Sequence, residues 1–301
     1  MQINNLCDKL NDYKIEYLLN EPMCRHTTFK IGGNADVFAN VKSIDELKNI
    51  IGIAKQYDVP YFVLGKGSNL LVSDNGIEGL VINLDGINNI EIQGETMVCG
   101  AGASLRSVCI AAQKASLTGL EFAYGIPGSL GGALYMNAGA YGGEMSQVVT
   151  SATAIDASGN EIEFTLADMK LGYRTSVFKN TGLIITGITI KLTTGDAQSI
   201  KNEMDNIFAR RRDKQPLEYP SAGSTFKRPE GYFAGALIEQ NNLKGVSVGG
   251  AQVSQKHAGF VINTGNATCD DVINLIKKIK DTVKQADGVE LEPEVIFVGR
   301  K

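Results

Sequence analysis

The sequence predicts a mixed α+β protein built in two parts, and three observations carry that reading. Its 301 residues are enough for two medium domains or one large one. Strand-like apolar runs alternate with amphipathic helical stretches, without an internal repeat. The patterning changes near 195–220, where Pro216 and Pro220 interrupt the chain. The expected division is a helical segment over 1–22, a first domain over 23–195 and a smaller α+β domain over 196–301.

The elements follow in order. Leu6, Leu10, Ile15, Leu18 and Leu19 suggest one amphipathic helix within 1–22. A clearer helix is expected over 44–57, where Leu47, Ile50, Ile51 and Ala54 recur at helical spacing after Ser43 as N-cap. VPYFVLGKGSNLLV reads as a buried strand, a tight glycine loop and a second apolar run. Strands are expected at 79–84 and 96–100, and a helix at 104–117 capped by Ser104. Val148–Ile155 and Glu161–Thr165 flank Asp156-Ala157-Ser158-Gly159, a hairpin signal. A strand at 182–192 precedes a helix at about 196–213, whose basic end suits its dipole. Beyond it come a helix near 233–241, strands near 249–254 and 258–263, a helix from Thr268 to Gly288, and a strand over 290–298.

Composition excludes several function classes. With 29 basic and 33 acidic residues the net charge is −4, so no nucleic-acid footprint is expected and Arg210-Arg211-Arg212 reads as a local feature. Five cysteines stand singly, without a CxxC or metal-ligand spacing, which predicts reduced thiols, no metal and a cytoplasmic setting. Neither a signal peptide nor a membrane span is expected.

Glycine is the outlier, at 34 residues, eight of them between Gly119 and Gly143. Two loops stand out: Gly65-Lys66-Gly67-Ser68-Asn69 and Gly125-Ile126-Pro127-Gly128-Ser129-Leu130-Gly131-Gly132. Such loops can aim successive backbone N–H groups at an anion, and each carries a serine hydroxyl. They can also be plain turns. Neither ends in Gly-Lys-Ser/Thr and neither gives GxGxxG, so P-loop and Rossmann readings are disfavoured. A phosphorylated cofactor bound in another way is the rival to the plain turn, and oxidation chemistry would need an organic cofactor.

The catalytic candidates are few. The chain has two histidines, His26 and His257, each readable as a structural side chain or, for His257, a substrate contact. Ser224, in PSAGSTFKRP, lacks the GxSxG elbow of a hydrolase nucleophile. Arg174, flanked by Tyr173 and small residues, could grip a carboxylate with its planar fork or lie solvated. Strand alternation would put Glu292 and Glu294 on one face, with Pro293 at an edge.

Seven segments occur in order: RHTTFKIGG (25–33), GKGSN (65–69), GIPGSLGGA (125–133), NAGAYG (137–142), YRTSVFK (173–179), SAGSTFKRP (221–229) and LEPEV (291–295). Together they resemble the MurB family of UDP-N-acetylenolpyruvoylglucosamine reductases, from about residue 20 to the C-terminus. The resemblance implies a vanillyl-alcohol-oxidase-like (PCMH-type) FAD-binding domain and a smaller α+β substrate-binding domain. It implies an NADPH-dependent flavoprotein that reduces UDP-N-acetylglucosamine enolpyruvate in peptidoglycan precursor synthesis. FAD contacts are then expected from Gly65, Lys66, Gly67, Ser68, Asn69, Gly125, Ile126, Pro127, Gly128, Ser129, Asn137, Ala138 and Gly139. Arg174 and Glu294 would polarise the substrate carboxylate, and Ser224 would give a proton to C2. Tyr173, Lys214, Lys227, Arg228 and His257 are the expected substrate contacts. YRTSVFK runs straight into GLIITGITIKL, so the chain resembles the shorter type, without a tyrosine-bearing insertion. Another FAD oxidoreductase of the same superfamily and a non-catalytic nucleotide-sugar-binding protein are the alternatives.

Overall fold

The computed structural model describes residues 2–300. Within them the chain forms two compact units: 2–18, 37–66 and 79–211 make the first, and 19–36, 67–78 and 212–300 the second.

The first unit contains a five-stranded antiparallel sheet. Its order is Glu161–Thr165, Val149–Ile155, Ile184–Lys191, Thr96–Gly100, Ile90–Gln93. A second, four-stranded sheet has Asn34–Asn40 and Ile77–Asn83 at its centre, and Tyr61–Leu64 runs parallel to the latter. These central strands carry the chain from one unit into the other. The helix Ile44–Gln56 starts where Ser43 accepts the Glu46 N–H at 3.1 Å, and it buries Leu47, Ile50, Ile51, Ile53 and Ala54. Those side chains join Leu80, Ile82 and Met97 in one apolar core.

The second unit has its own core, formed by Leu71, Val253, Val261, Leu291 and one face of the helix Cys269–Asp287. Thr268 and Asp271 build a capping box at the start of that helix, and Gly288 ends it in the left-handed region at φ 71°. Asp74 adds to the cap by accepting the N–H groups of Cys269 (2.9 Å) and Asp270 (3.3 Å).

The units differ from a contiguous division at 195/196. Leu70–Val72 pairs in parallel with Ile296–Val298, and Phe29, Ile31 and Leu71 lie in the second core. Early segments therefore complete a late unit, and no local pattern marks such a return. Residues 1–22 are also not one helix. Gln2–Asp12 is helical, but Tyr17–Pro22 is a strand with Leu18 and Leu19 exposed. At the other end only Ile296–Val298 of 290–298 is strand; Pro293 makes an isolated bridge with Phe226.

All five cysteines are free. Burial pushes the Cys99 thiol up to about 11 and those of Cys109 and Cys269 up to about 12, so these three remain unreactive thiols near neutral pH. No helix of the described residues is long and apolar enough to cross a membrane.

Candidate active site

In the first unit Gly65, which opens one glycine loop, meets Ser129 of the other. A Cβ on Gly65 would lie 2.3 Å from Ser129 Oγ, so only glycine permits this approach. Ser129 is buried and N-caps the short helix Leu130–Tyr135, where its Oγ accepts the Gly132 N–H at 3.2 Å. The loop is pinned from outside as well. Gly128 O accepts the Leu105 N–H, and Leu130 and Gly131 donate to Ala103 O and Ala101 O. Lys66 is held by Asp85, Nζ to Oδ2 at 2.8 Å, so its charge is already matched within the unit.

Beside Gly125 lies a group that the sequence reading passed over. Arg211 is only 8% exposed, and its Nε is buried without a hydrogen-bond partner among the described residues. Its Cδ lies 3.2 Å from where a Gly125 Cβ would be. Burial pushes the guanidinium below its usual range, opposed by nearby Tyr141, yet an arginine stays charged. The missed signal was positional. Ile200, Met204, Ile207 and Arg211 are the buried residues of the helix Ala197–Lys214, so a cation occupies its apolar stripe.

Arg174 sits at the tip of a tight turn. Gly172 and Thr175 exchange backbone hydrogen bonds at 3.1 and 3.2 Å, and Arg174 takes φ 55° between them. Few non-glycine residues adopt that conformation, and here neighbours hold it. Asn137 donates its amide to Gly172 O at 3.1 Å and accepts the Ser146 N–H at 2.9 Å. Lys179 Nζ binds Arg174 O at 3.3 Å. The guanidinium lies over Tyr173, 5.3 Å from the ring centroid. Asn137 thus supports the arginine turn, and both hydrogen-bonding ends of its side chain are engaged.

The second unit brings Ser224 and Glu294 onto adjacent segments. Thr225 is buried; its N–H donates to Gly259 O at 2.8 Å, and its Oγ1 accepts the Val261 N–H at 2.9 Å. On the other side Thr225 O accepts the Glu294 N–H at 2.8 Å, and Glu292 O accepts the Lys227 N–H at 2.9 Å. Ser224 is therefore an exposed hydroxyl on a segment clamped from both sides. Asn69 donates to Glu294 O at 3.2 Å and accepts the Ile296 N–H at 2.9 Å. Gly67, at φ 60°, lies so close to His26 O that a Cβ would stand 2.1 Å away.

The remaining expected contacts belong to the same unit. His257 Nδ1 accepts the Gly259 N–H at 3.1 Å, and burial pushes its pKa down, favouring the neutral ring. Lys227 pairs with Glu292, Arg228 lies over Phe233, and Lys214 is exposed.

Two family models match the chain. One, described as FAD binding domain, covers residues 35–165. The other, the C-terminal domain of UDP-N-acetylenolpyruvoylglucosamine reductase, covers 215–298. A protein of that name from Caldanaerobacter subterraneus is 51% identical over 98% of this chain and 99% of its own length. The chain belongs to the UDP-N-acetylenolpyruvoylglucosamine reductase family. A relative of the same name from Clostridium novyi is 48% identical over 100% of this chain and 98% of its own. The solved reductase of Thermus caldophilus superimposes with a TM-score of 0.80 at 33% identity, covering 94% of this chain and 98% of that one. The grass pollen allergen Phl p 4, which has glucose dehydrogenase activity, is alike in fold alone, with a TM-score of 0.50 at 14% identity over 64% of this chain and 44% of its own. The fold is thus the PCMH-type FAD-binding fold followed by the reductase family's own C-terminal domain.

Proposed function

We propose that this chain reduces UDP-N-acetylglucosamine enolpyruvate to UDP-N-acetylmuramate, with NADPH as reductant and FAD as the bound cofactor, in peptidoglycan precursor synthesis. One observation carries the reading: the Glu294 N–H to Thr225 O bond joins the segment that bears Glu294 to the one that bears the exposed Ser224. A phosphate-bearing flavin fits the first unit on two counts. Gly65 and Ser129 approach where any Cβ would intrude, and Arg211 holds a buried Nε with no hydrogen-bond partner among the described residues. A buried charged group with an unmet donor is destabilising by about 1–3 kcal/mol, and an anionic or carbonyl-bearing ligand relieves it. Ser129 and the backbone N–H groups of Gly65, Lys66, Gly125, Gly128 and Ser129 would hold that ligand in the first unit.

Bound FAD supplies the hydride relay between NADPH and the enolpyruvyl C3, for which no side chain here has the chemistry. Arg174 provides a planar fork for the substrate carboxylate, where negative charge grows as C3 gains hydride. Glu294 hydrogen-bonds at the same end. Ser224 gives its hydroxyl proton to C2 and recovers one from solvent, completing the addition of H⁻ and H⁺ across the double bond. Thr225, locked on both sides, limits the freedom of that hydroxyl.

The test is anaerobic and has two halves. Flavin bleaching by NADPH should be near normal in Ser224→Ala. Reoxidation by the enolpyruvyl UDP-sugar should slow by about two to four orders of magnitude, the range for losing a general acid. Equal losses in both halves would make Ser224 a structural residue.

A further inference from the structure

The chain has no segment between Lys179 and the strand Ile184–Lys191 long enough to close over a nucleotide. Its second unit carries an exposed aromatic group in a place where folding gives no reason for one. Phe233 is 61% exposed and Tyr232 beside it 48%. Phe233 stands at the N-cap of the short helix Ala234–Gln240, with φ −118° and ψ 119°, and makes no side-chain cap bond. Serine, threonine, aspartate or asparagine would serve that position better, as Ser43, Ser104, Ser129 and Thr268 do at other helices. An exposed phenylalanine in a cap position contributes neither to a core nor to a cap, and local rules are broken most often at functional sites.

The ring is also held. Pro229 to Tyr232 form a turn closed by the Tyr232 N–H to Pro229 O bond at 3.2 Å, with Gly231 at φ 74° in the position that needs it. This turn folds Arg228 back over Phe233, with its guanidinium 4.0 Å from the ring centroid. The pair is a planar, partly preformed surface with a π face and an all-donor edge. Arg228 follows Ser224 by four residues, so at about 3.3 Å per extended residue it lies no more than about 13 Å along the chain from the hydroxyl. The ladder between Thr225–Lys227 and Glu292–Glu294 gives that stretch a fixed backbone.

We infer that the Arg228–Phe233 stack is the platform for the pyrimidine ring of the UDP-sugar, with Phe233 giving the stacking face and Arg228 donating to carbonyl or phosphate oxygens. The assignment rests on the reductase reading. The binding element is the ring and guanidinium, not the helix start. It makes Phe233 a specificity-determining residue for the nucleotide. Base–aromatic stacking of ordinary strength predicts a roughly 5- to 150-fold loss on removal of the ring.

The experiment uses the flavin-loaded full chain, with UDP as the probe in calorimetry and steady-state and half-reaction kinetics alongside. Phe233→Ala should weaken UDP binding and raise the KM for the enolpyruvyl UDP-sugar by that same factor. Its kcat, flavin content and rate of flavin bleaching by NADPH should stay at wild-type levels. Phe233→Tyr should restore UDP affinity, because it keeps the π face, and Arg228→Ala should lose it. UDP affinity within about two-fold of wild type in Phe233→Ala overturns the assignment, as does a loss confined to the NADPH step. Wild-type protein that binds UDP through Phe233 but does not turn over the sugar would keep the platform and remove the reductase reading. Wild-type protein that does not bind UDP removes both.

Discussion

Arg211 is the residue in which stability and function oppose one another. Its guanidinium sits on the apolar stripe of a helix, desolvated, with Nε unpartnered. In flavin-free protein, Arg211→Met should therefore stabilise the fold by about 1–4 kcal/mol, the range seen when buried charges give way to packed apolar side chains. The same change should weaken FAD binding by more than about tenfold, as expected for losing one charged hydrogen bond. Thermal melts of the flavin-free form and flavin titration check the two signs. His257 gives a pH-dependent counterpart. Burial lowers its folded pKa below the ordinary value of 6.5, so the unfolded chain binds more protons between the two values. The stability it contributes is complete above about pH 6.5 and is lost as pH falls toward the folded pKa. His257→Gln should flatten that part of the profile: between about pH 7.5 and 5.5 its urea midpoint should fall less than that of the wild type.

At the scale of elements, the site depends on loops whose shape is imposed by contact. Gly65 and Ser129 belong to different loops, each anchored to its own strand or helix, and their closeness leaves no room for a methyl group. Gly65→Ala should cost about 1–3 kcal/mol, the range for overpacking, and weaken flavin binding at least tenfold by parting the loops. Removing Ser129 Oγ in the same chain should recover part of the stability, so a double-mutant cycle read by urea unfolding should give a coupling of about 1 kcal/mol or more. Additive effects would mean that the loops move independently. The arginine turn is built in the same manner: Asn137 reaches from the glycine-rich block to Gly172 O and supports a left-handed Arg174.

At the scale of the whole molecule, the chain's two units are interleaved in sequence. The C-terminal family region matches 215–298, yet the second unit also takes residues 19–36 and 67–78. Those segments supply the parallel partner of Ile296–Val298, the Asp74 cap of the long helix, and core residues Phe29, Ile31 and Leu71. Residues 212–301 expressed alone should therefore fail to fold cooperatively. Circular dichroism should show a broad, shallow thermal change in place of a sigmoidal transition. A sharp transition in that fragment would mean that the early segments decorate the second unit and do not complete it.

The sequence alone determined what local chemistry controls. Ser43, Ser104 and Thr268 mark helix starts because a side-chain oxygen before an apolar stripe satisfies free backbone N–H groups. The hairpin at 149–165 follows from alternation around a turn. Ordered motifs also sufficed for the family, the FAD-binding fold and Ser224, Arg174 and Glu294 as candidates. The helix Leu130–Tyr135 was hidden by its glycines, which lower helix propensity, and the strand Asn34–Asn40 by its Asn, Asp and Ala residues, which strands disfavour. Only the tertiary structure decided the rest. It placed Leu70–Val72 beside Ile296–Val298, set Glu294 against Thr225, and turned one of three consecutive arginines into the core. These are contacts between residues far apart in the chain, fixed by how two cores close, and nothing in the neighbouring residues encodes them.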